Sequence, residues 1–251
     1  MGPTLRQLLI NALSIGFLIF LWYVCSTAGW VPRVFLPPPQ DVWGALVAGF
    51  STGTLADQTL STVFSMLIGW FACSLFGVLL GSVIGIWPLA RLSLGPVLEI
   101  FRPMPPAAII PLAIAILGLS AEMSLSVIIF GAIWPALLST VHGFSSIDPR
   151  LKEVGRALGI SPLAFIWKIA LPNATPDIIA GMRLSMVISL VLVVITDMIT
   201  GQIGLGSLVV LASRTFDMSG LFAGLCLLSL IGLVSNSVLQ FAERRLLRYK
   251  Q

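Results

Sequence analysis

The sequence predicts an all-α polytopic membrane protein with six membrane-spanning helices, and three observations lead to that prediction. The 251 residues are 57% hydrophobic and only 10% charged, with a mean hydropathy of +1.04, whereas a soluble domain carries about 25% charged residues. Uncharged apolar runs recur that can cross a hydrocarbon core of about 30 Å, which needs about 20 helical residues. Basic residues stand at the ends of these runs. We expect a single transmembrane domain over residues 1–251.

The first apolar run lies between Arg6 and Arg33 and predicts a span over Leu8–Ala28. This run is long enough to cross a membrane, and no small-residue cleavage site follows it, so we expect a span rather than a secretory signal. The prolines of Phe35–Pro39 then predict extended backbone.

A short amphipathic helix is expected after these prolines. Val42, Leu46 and Phe50 recur at i, i+4 and i+8, the spacing of a helix that lies in the membrane interface. The second span is predicted over Thr59–Ile86, and a short turn over Trp87–Arg91 follows it.

The third span is predicted over Val97–Leu117, and it contains four prolines: Pro103, Pro105, Pro106 and Pro111. Prolines inside a helix must break or bend it. Within a membrane this is tolerated only where neighbouring helices or a cavity satisfy the freed carbonyl groups, so we expect this span to face the protein interior. Glu99 and Arg102 are spaced to pair with each other at i, i+3.

The second half of the chain continues the pattern around a polar middle. Span four is predicted over Met123–Val141, and the polar segment His142–Asp177 follows. Span five is predicted over Ile178–Thr200, a loop over Gly201–Gly220, and span six over Leu221–Phe241.

Six spans place both termini on one side, and the basic residues indicate which side. Twelve basic residues fall on the side of the termini: Arg6, Arg91, Arg102, Arg150, Lys152, Arg156, Lys168, Arg183, Arg244, Arg245, Arg248 and Lys250. Only Arg33 and Arg214 fall on the other. By the positive-inside rule both termini and the polar middle are cytoplasmic, as in a multi-pass protein of the bacterial cytoplasmic (inner) membrane.

The polar middle carries three helix-start signals, each a capping side chain followed by proline: Asp148-Pro149, Ser161-Pro162 and Thr175-Pro176. Proline is suited to the first helical position because its missing N–H would be unpaired there anyway. With Gly159 as a left-handed stop, these signals predict helices over Pro149–Leu158 and Pro162–Leu171, with span five entered after Pro176.

The first of these helices has an apolar face formed by Leu151, Val154 and Leu158. A ten-residue helix is marginal alone, so this face needs a partner. The pattern leaves two partners open, the membrane interface and another protein.

The spacing of this segment resembles that of a known family. Glu153-Val-Gly-Arg-Ala-Leu-Gly159 is separated by nine residues from Ile169-Ala-Leu171-Pro172, which resembles the cytoplasmic loop of ABC-importer permeases, with Val154-Gly155 in place of the usual small pair. The resemblance implies that residues 148–172 form a coupling loop that docks onto an ATPase subunit. The docking residues that it implies are Leu151, Glu153, Val154, Arg156, Ala157, Leu158, Gly159, Ile169, Leu171 and Pro172.

Three further segments resemble the nitrate, sulfonate, taurine and bicarbonate group of these permeases: Phe35–Trp43, Arg102–Leu112 and Asp197–Gly206. Asp197 stands where that group often carries Glu, and Ile203 where a small polar residue is usual.

This resemblance implies a type I ABC-importer permease fold. It also implies a second permease copy, a homodimer rather than a heterodimer, and two ATPase subunits that bind ATP-Mg. An extracytoplasmic binding protein would deliver a small solute: a sulfonate, taurine, nitrate or another anion, or a pyrimidine precursor.

No catalytic role is expected for this chain. It has one histidine, His142, and lacks a G-x-x-x-x-G-K-[ST] phosphate loop, so a nucleotide site would belong to another polypeptide. We expect no cofactor on this chain.

Nucleic-acid binding is excluded because the basic residues cap apolar runs rather than form one exposed face. Cys25, Cys73 and Cys226 stand singly in apolar stretches and are interpreted as small buried hydrophobes.

Candidates for the solute pathway lie mainly on span five, where an ionisable residue suggests function. They are Asp197, Arg183 and Arg214, with Met186 and Ser189 between the first two. Arg183 can instead extend to the cytoplasmic interface, Asp197 can cap or pair near the outer end, and Arg214 can be a solvated loop charge.

Two other classes of protein fit the sequence less well. A secondary transporter or channel without an ATPase partner is the alternative, but the chain shows no broken apolar segments that recur in two halves. A purely structural anchor does not explain the prolines inside span three.

Overall fold

The computed structural model describes residues 5–29 and 32–246, and the regular structure in those ranges is helical. The helices are α1 (Leu5–Thr27), α2 (Pro39–Ser51), α3 (Thr54–Ile86), α4 (Pro88–Phe101), α5 (Pro106–Leu117), α6 (Ala121–Ser145), α7 (Pro149–Ala157), α8 (Pro162–Phe165), α9 (Leu171–Thr200), α10 (Leu205–Arg214) and α11 (Met218–Leu246). A π-helical turn, Ile166–Ala170, joins α8 to α9.

The centre of the fold is a bundle of α3, α6 and α9. Four glycines of α3 face α6 along its length: Gly69, Gly77, Gly81 and Gly85. Gly69 lies against Ile128 and Gly85 against Phe144, so α3 and α6 run parallel. Small residues let two helix backbones approach closely, the usual way in which helices associate in membranes.

Helix α9 runs antiparallel to α6 and defines the two ends of the bundle. At one end, Ser124 lies 3.5 Å from Gln202, which follows α9. At the other end, Gly143 packs against Ala174. We call these the α10 end and the loop end. The core contains Met66, Ile128 and Val193, which are almost fully buried between the three helices.

The segment between α3 and α6 returns the chain across the bundle. Helix α3 finishes at the loop end, whereas α6, parallel to it, begins at the α10 end. Helices α4 and α5 make this return with a bend of 90° at a short break. The break or bend predicted from the prolines is confirmed, since residues 102–105 are not helical.

Two details predicted for this region are wrong. A continuous span over Val97–Leu117 is replaced by the bent pair, and Trp87–Arg91 is not a turn, because Pro88 fits the first position of α4. The predicted interior contacts are made by α5, whose Ile110 and Ala113 are buried against α6, while α4 has no buried residue.

Glu99 and Arg102 do not form the expected pair. Both side chains are exposed, and Arg183 with Glu243 forms the one ion pair among the described residues. An exposed pair gains little in water while it loses side-chain entropy, so the i, i+3 spacing is not sufficient to hold it.

Four of the described helices are long and apolar enough to cross a membrane, and the bent pair makes a fifth crossing if counted as one span. Helix α1 has 23 residues and leads towards the α10 end, where Trp22 stacks on Phe222 with ring centroids 5.7 Å apart. The count of six spans and the side on which the termini lie stay predictions.

The amphipathic helix predicted after the prolines is confirmed as α2. Val42 is buried and Leu46 packs on the core, whereas Phe50 is 47% exposed. The N-cap of α2, Pro38, has extended backbone, as expected. Its location in a membrane interface stays a prediction.

Three further predictions need correction. Gly201–Gly220 is not simply a loop, because it contains α10. Thr175-Pro176 does not start a helix, since α9 already begins at Leu171 and the Thr175 hydroxyl donates to the Leu171 carbonyl over 2.7 Å. Of the cysteines, Cys73 is buried as expected, Cys25 is half-buried, and Cys226 is exposed.

Candidate functional site

The predicted coupling loop, residues 148–172, contains α7, which has caps at both ends. The Asp148 side chain accepts the Arg150 N–H over 2.9 Å at its start. At its end the Ile160 N–H donates to the Gly155 carbonyl and the Gly159 N–H to the Arg156 carbonyl, each over 3.0 Å. This is the Schellman arrangement, and Gly159 has the positive φ, +66°, that it requires. The predicted helix and its glycine stop are confirmed.

Gly155 brings α7 and α8 close together. A Cβ at this position would lie 2.9 Å from the ring of Phe165, so a larger residue would push the two helices apart. Ser161 caps α8 by accepting the Ala164 N–H over 3.3 Å. The two short helices therefore form a compact unit with a defined angle.

This unit is anchored to the bundle by its second half. Ala170 is buried with Phe144 and Ile147 of the loop end, and Leu171 packs on the same cluster. Ile169, Leu171 and Pro172, predicted as docking residues, are half-buried. Their position favours anchoring the loop over contact with a partner.

The apolar face of α7 points outward. Leu151, Val154 and Leu158 are 42%, 53% and 71% exposed, and Glu153, Arg156, Ala157 and Gly159 are exposed beside them. The predicted docking residues of α7 are thus all exposed, and Leu151, Val154 and Leu158 share one face of the helix.

Sequence reasoning missed two exposed apolar residues in the second half of the predicted coupling loop. Leu163 and Trp167 are both exposed, at 66% and 64%. Their i, i+4 spacing places them on one helical face, and that spacing was the signal that could have identified them.

A second polar site lies at the α10 end, where α3, α9 and α10 meet. Asp197 is 6% exposed and Thr62 is fully buried, with the Thr62 hydroxyl 3.5 Å from the Asp197 carboxylate. The Ser61 hydroxyl donates to the Ile203 carbonyl over 2.6 Å. Buried polar groups of this kind hold neighbouring helices in one arrangement.

Next to this site is an open cleft of about 1030 Å³ between α2, α3, α9 and α10. Its walls are largely apolar, with Gln58 and several hydroxyl side chains among them. Arg214 is the one cation among the described lining residues. Asp217 also lines the cleft, so its charged lining residues carry one charge of each sign.

The pathway candidates are therefore not brought together. Arg214 lines the cleft, and Asp197 lies behind the cleft wall. Met186 and Ser189 are buried in the core, where the Ser189 hydroxyl lies 3.9 Å from the thiol of Cys73. Core packing encloses both residues in this structure, and their place in a solute pathway stays a prediction.

Arg183 does not extend freely to an interface. Its guanidinium donates to the Glu243 carboxylate over 2.8 Å and links α9 to α11. Both side chains are partly exposed. The pair explains how this cation is accommodated beside apolar helices.

Comparison with known proteins identifies the family. Residues 74–248 match the family described as binding-protein-dependent transport system inner membrane component. The match covers well over half of the chain, so this protein belongs to that family. Its members are multi-pass permease components of ABC importers and are non-catalytic.

Several named relatives are similar along most of their length. The taurine transport system permease protein TauC of Escherichia coli K12 is 27% identical over 97% of this chain and 90% of its own. The nitrate import permease protein NrtB of Leptolyngbya laminosa is 27% identical over 100% and 91%. A putative ABC transporter permease protein of Methanocaldococcus jannaschii is 31% identical over 84% and 80%.

The fold is also found in a solved structure. An inward-facing structure of the MetNI methionine ABC transporter superposes with a TM-score of 0.66, covering 80% of this chain and 98% of the other at 18% identity. The helical arrangement is thus that of an ABC-importer permease.

Proposed function

We propose that this chain is the permease subunit of an ATP-driven importer and forms the translocation pathway for a small anion. One observation carries the proposal: the apolar face of α7, on a loop with the spacing of ABC permeases, is exposed and has no partner among the described residues. Two caps and a glycine stop fix α7 while this apolar face is exposed. Such a surface is suited to contact with another protein.

The partner that fits this face is an ATPase subunit. The exposed residues Leu151, Val154 and Leu158 offer an apolar stripe, and Glu153 and Arg156 offer charges of both signs at its margin. Such a surface suits a cleft with apolar walls and a charged rim. Two ATPases, each with ATP-Mg, would bind the loops of two permease copies, and a homodimer is the simpler assembly.

The solute class is proposed from the cleft and from the names of the relatives. Related permeases are named for taurine, nitrate, aliphatic sulfonates and bicarbonate, all of which are or contain anions. Arg214 and the hydroxyl groups of the cleft supply suitable donors. An extracytoplasmic binding protein would deliver the anion to the α10 end.

The test is co-purification of the chain with an ATPase encoded beside its gene, followed by uptake in reconstituted vesicles. We expect uptake of a small sulfonate or nitrate to require ATP, the binding protein and the phosphate-loop lysine of the ATPase. Uptake that persists after that lysine is replaced would instead support a secondary transporter or channel.

A further inference from the structure

The side chain of Asp197 reaches from the last turn of α9 to the start of another helix. Gly206, at the second position of α10, packs directly against this side chain. The first N–H groups of a helix have no partner within the helix, and an aspartate normally caps them from the residue just before the helix. In α10 that residue is Gly204, which has no side chain to contribute. The Asp197 carboxylate, from a neighbouring helix, instead lies beside Gly204.

Two side chains of α3 cap the start of α10. The Leu205 N–H donates to the Thr62 hydroxyl over 2.8 Å, and the Gly204 N–H donates to the Gln58 side-chain oxygen. The N–H groups of Gly204 and Leu205 are thus bound by side chains of α3, and the Thr62 hydroxyl that accepts the second of them donates to the Asp197 carboxylate over 3.5 Å. The carboxylate also lies at the positive end of the α10 dipole, which favours its negative charge.

The glycines around α10 leave room for this arrangement. A Cβ on Gly204 would overlap the Asp197 carboxylate. A Cβ on Gly206 would overlap the Val194 carbonyl and lie 2.8 Å from the Asp197 Cβ. The glycine density of this segment therefore serves close packing between α9 and α10.

The position of α10 in turn determines one wall of the cleft. Ser207, Leu211 and Arg214 of α10 line it, whereas Asp197 does not. Arg214 lies eight residues beyond Gly206, roughly 12 Å along the helix, so a tilt at the start of α10 displaces its guanidinium. We propose that Asp197 is a positioning residue: from α9 it holds the capped start of α10 and thereby sets the place of Arg214 in the cleft.

The first test measures the mobility of α10 directly. The three native cysteines are replaced, and a spin label is attached at Leu211, which is 63% exposed on the cleft wall. In the full-length chain purified with its co-expressed partners, we expect Asp197→Ala to raise the mobile fraction of this label about tenfold, the effect of losing one hydrogen bond. Asp197→Asn keeps an acceptor oxygen and should stay close to the parent.

Two controls separate positioning from a general loss of structure. Asp57→Ala removes an exposed acidic residue at the same end without touching α10, and its label should behave as in the parent. A second label at Leu225 on α11 reports loosening elsewhere and should not change. An unchanged Leu211 label in Asp197→Ala, or equal loosening at both labels, would overturn the proposal.

If the Asp197→Ala variant does not assemble, a variant on the α10 side of the contact between α9 and α10 can still test the proposal. Gly206→Ala retains the carboxylate but pushes α10 away from α9, and Gly44→Ala on α2, with open space around it, is the matched control. We expect Gly206→Ala to mobilise the Leu211 label and Gly44→Ala to leave it unchanged. No change with Gly206→Ala would overturn the proposal.

Uptake tests the link from α10 to the cleft, and this step rests on the proposed function. Asp197→Ala should lower anion uptake while Asp197→Asn retains most of it, with equal amounts of assembled complex. Parent uptake in an Asp197→Ala variant whose α10 is mobile would overturn that link. If the parent itself shows no ATP-dependent uptake, the proposed function fails, but the label result still decides the role of Asp197 at α10.

Discussion

At the scale of single residues, two glycines show opposite uses of a missing side chain. Gly159 is needed for its backbone angle, since its φ is +66° and the space around it is open. Gly81 is needed for its size, because a Cβ there would lie 2.6 Å from the Leu137 carbonyl oxygen and 2.7 Å from the Thr140 Cβ. The difference predicts which replacements each position tolerates.

Gly159→Val should destabilise the coupling loop, because a β-branched residue in the left-handed region costs about 1–2 kcal/mol. We expect membrane insertion to survive and co-purification with the ATPase to fall. Gly159→Asn is the matched control, since asparagine adopts this conformation more readily. Equal co-purification of the valine variant and the wild type would show that the turn does not depend on glycine.

Gly81→Ala should weaken the contact of α3 with α6 by about 1–3 kcal/mol, the usual cost of overpacking. The thermal midpoint of the purified protein measures this loss. Gly44→Ala serves as the control, because a Cβ at that position would meet nothing within 4 Å and alanine favours a helix. A lower midpoint in both variants, by the same amount, would argue against a specific close approach at Gly81.

At the scale of elements, α7 is a short helix whose charges surround an exposed apolar stripe. From its position, Glu153 is predicted to pair with the ATPase or with Arg150 or Arg156. No ion pair joins these residues in the described part of the chain, so an intrahelical pair does not explain this glutamate. Glu153 therefore either contacts a basic group of the partner or is solvated.

Glu153→Lys should uncouple ATP hydrolysis from uptake more strongly than Glu153→Gln, because the lysine would repel a basic partner group whereas the glutamine only loses an attraction. The ratio of anions taken up to ATP hydrolysed, measured in vesicles, checks this. Identical ratios in the two variants would indicate that Glu153 is solvated.

The bent pair α4–α5 shows which features of a helix can be predicted from the sequence and which cannot. Prolines predict the break, since proline removes a donor and clashes within a helix. They do not predict the 90° angle or the start of α4 at Pro88, because both depend on how the segment returns from the end of α3 to the start of α6.

At the scale of the whole molecule, the Arg183–Glu243 pair joins α9, which carries the coupling loop, to the end of α11. In a permease that changes between two orientations, such a link would make the two helices move together. The pair is partly exposed, so its value for stability alone is limited.

Exchanging the two charges tests this link. Arg183→Glu and Glu243→Arg should each lower uptake, because each leaves two like charges about 3 Å apart. The double variant restores an ion pair and should recover much of the activity. A double variant no better than the worse single one would mean that each side chain acts separately.

The sequence by itself determined the class of fold and the caps and glycine stop of the segment after α6. Those features depend on composition and on residues close together in the chain: apolar runs, Asp148 and Ser161 before prolines, and Gly159 after a periodic helix. Local spacing is enough for them because caps and turns are bonded within a few residues.

Only the tertiary structure decided the roles of the residues on α9. Met186 and Ser189 are placed in the core, Arg183 is paired with α11, and Asp197 lies against the start of α10.

The glycine density around Ile203 predicts backbone bending or close approach. The structure shows close approach at Gly204 and Gly206, and their packing partners lie on α9, which the local sequence does not reveal. The role of a side chain depends on the residues that it contacts on other helices. Those contacts cannot be predicted from the sequence of one helix alone.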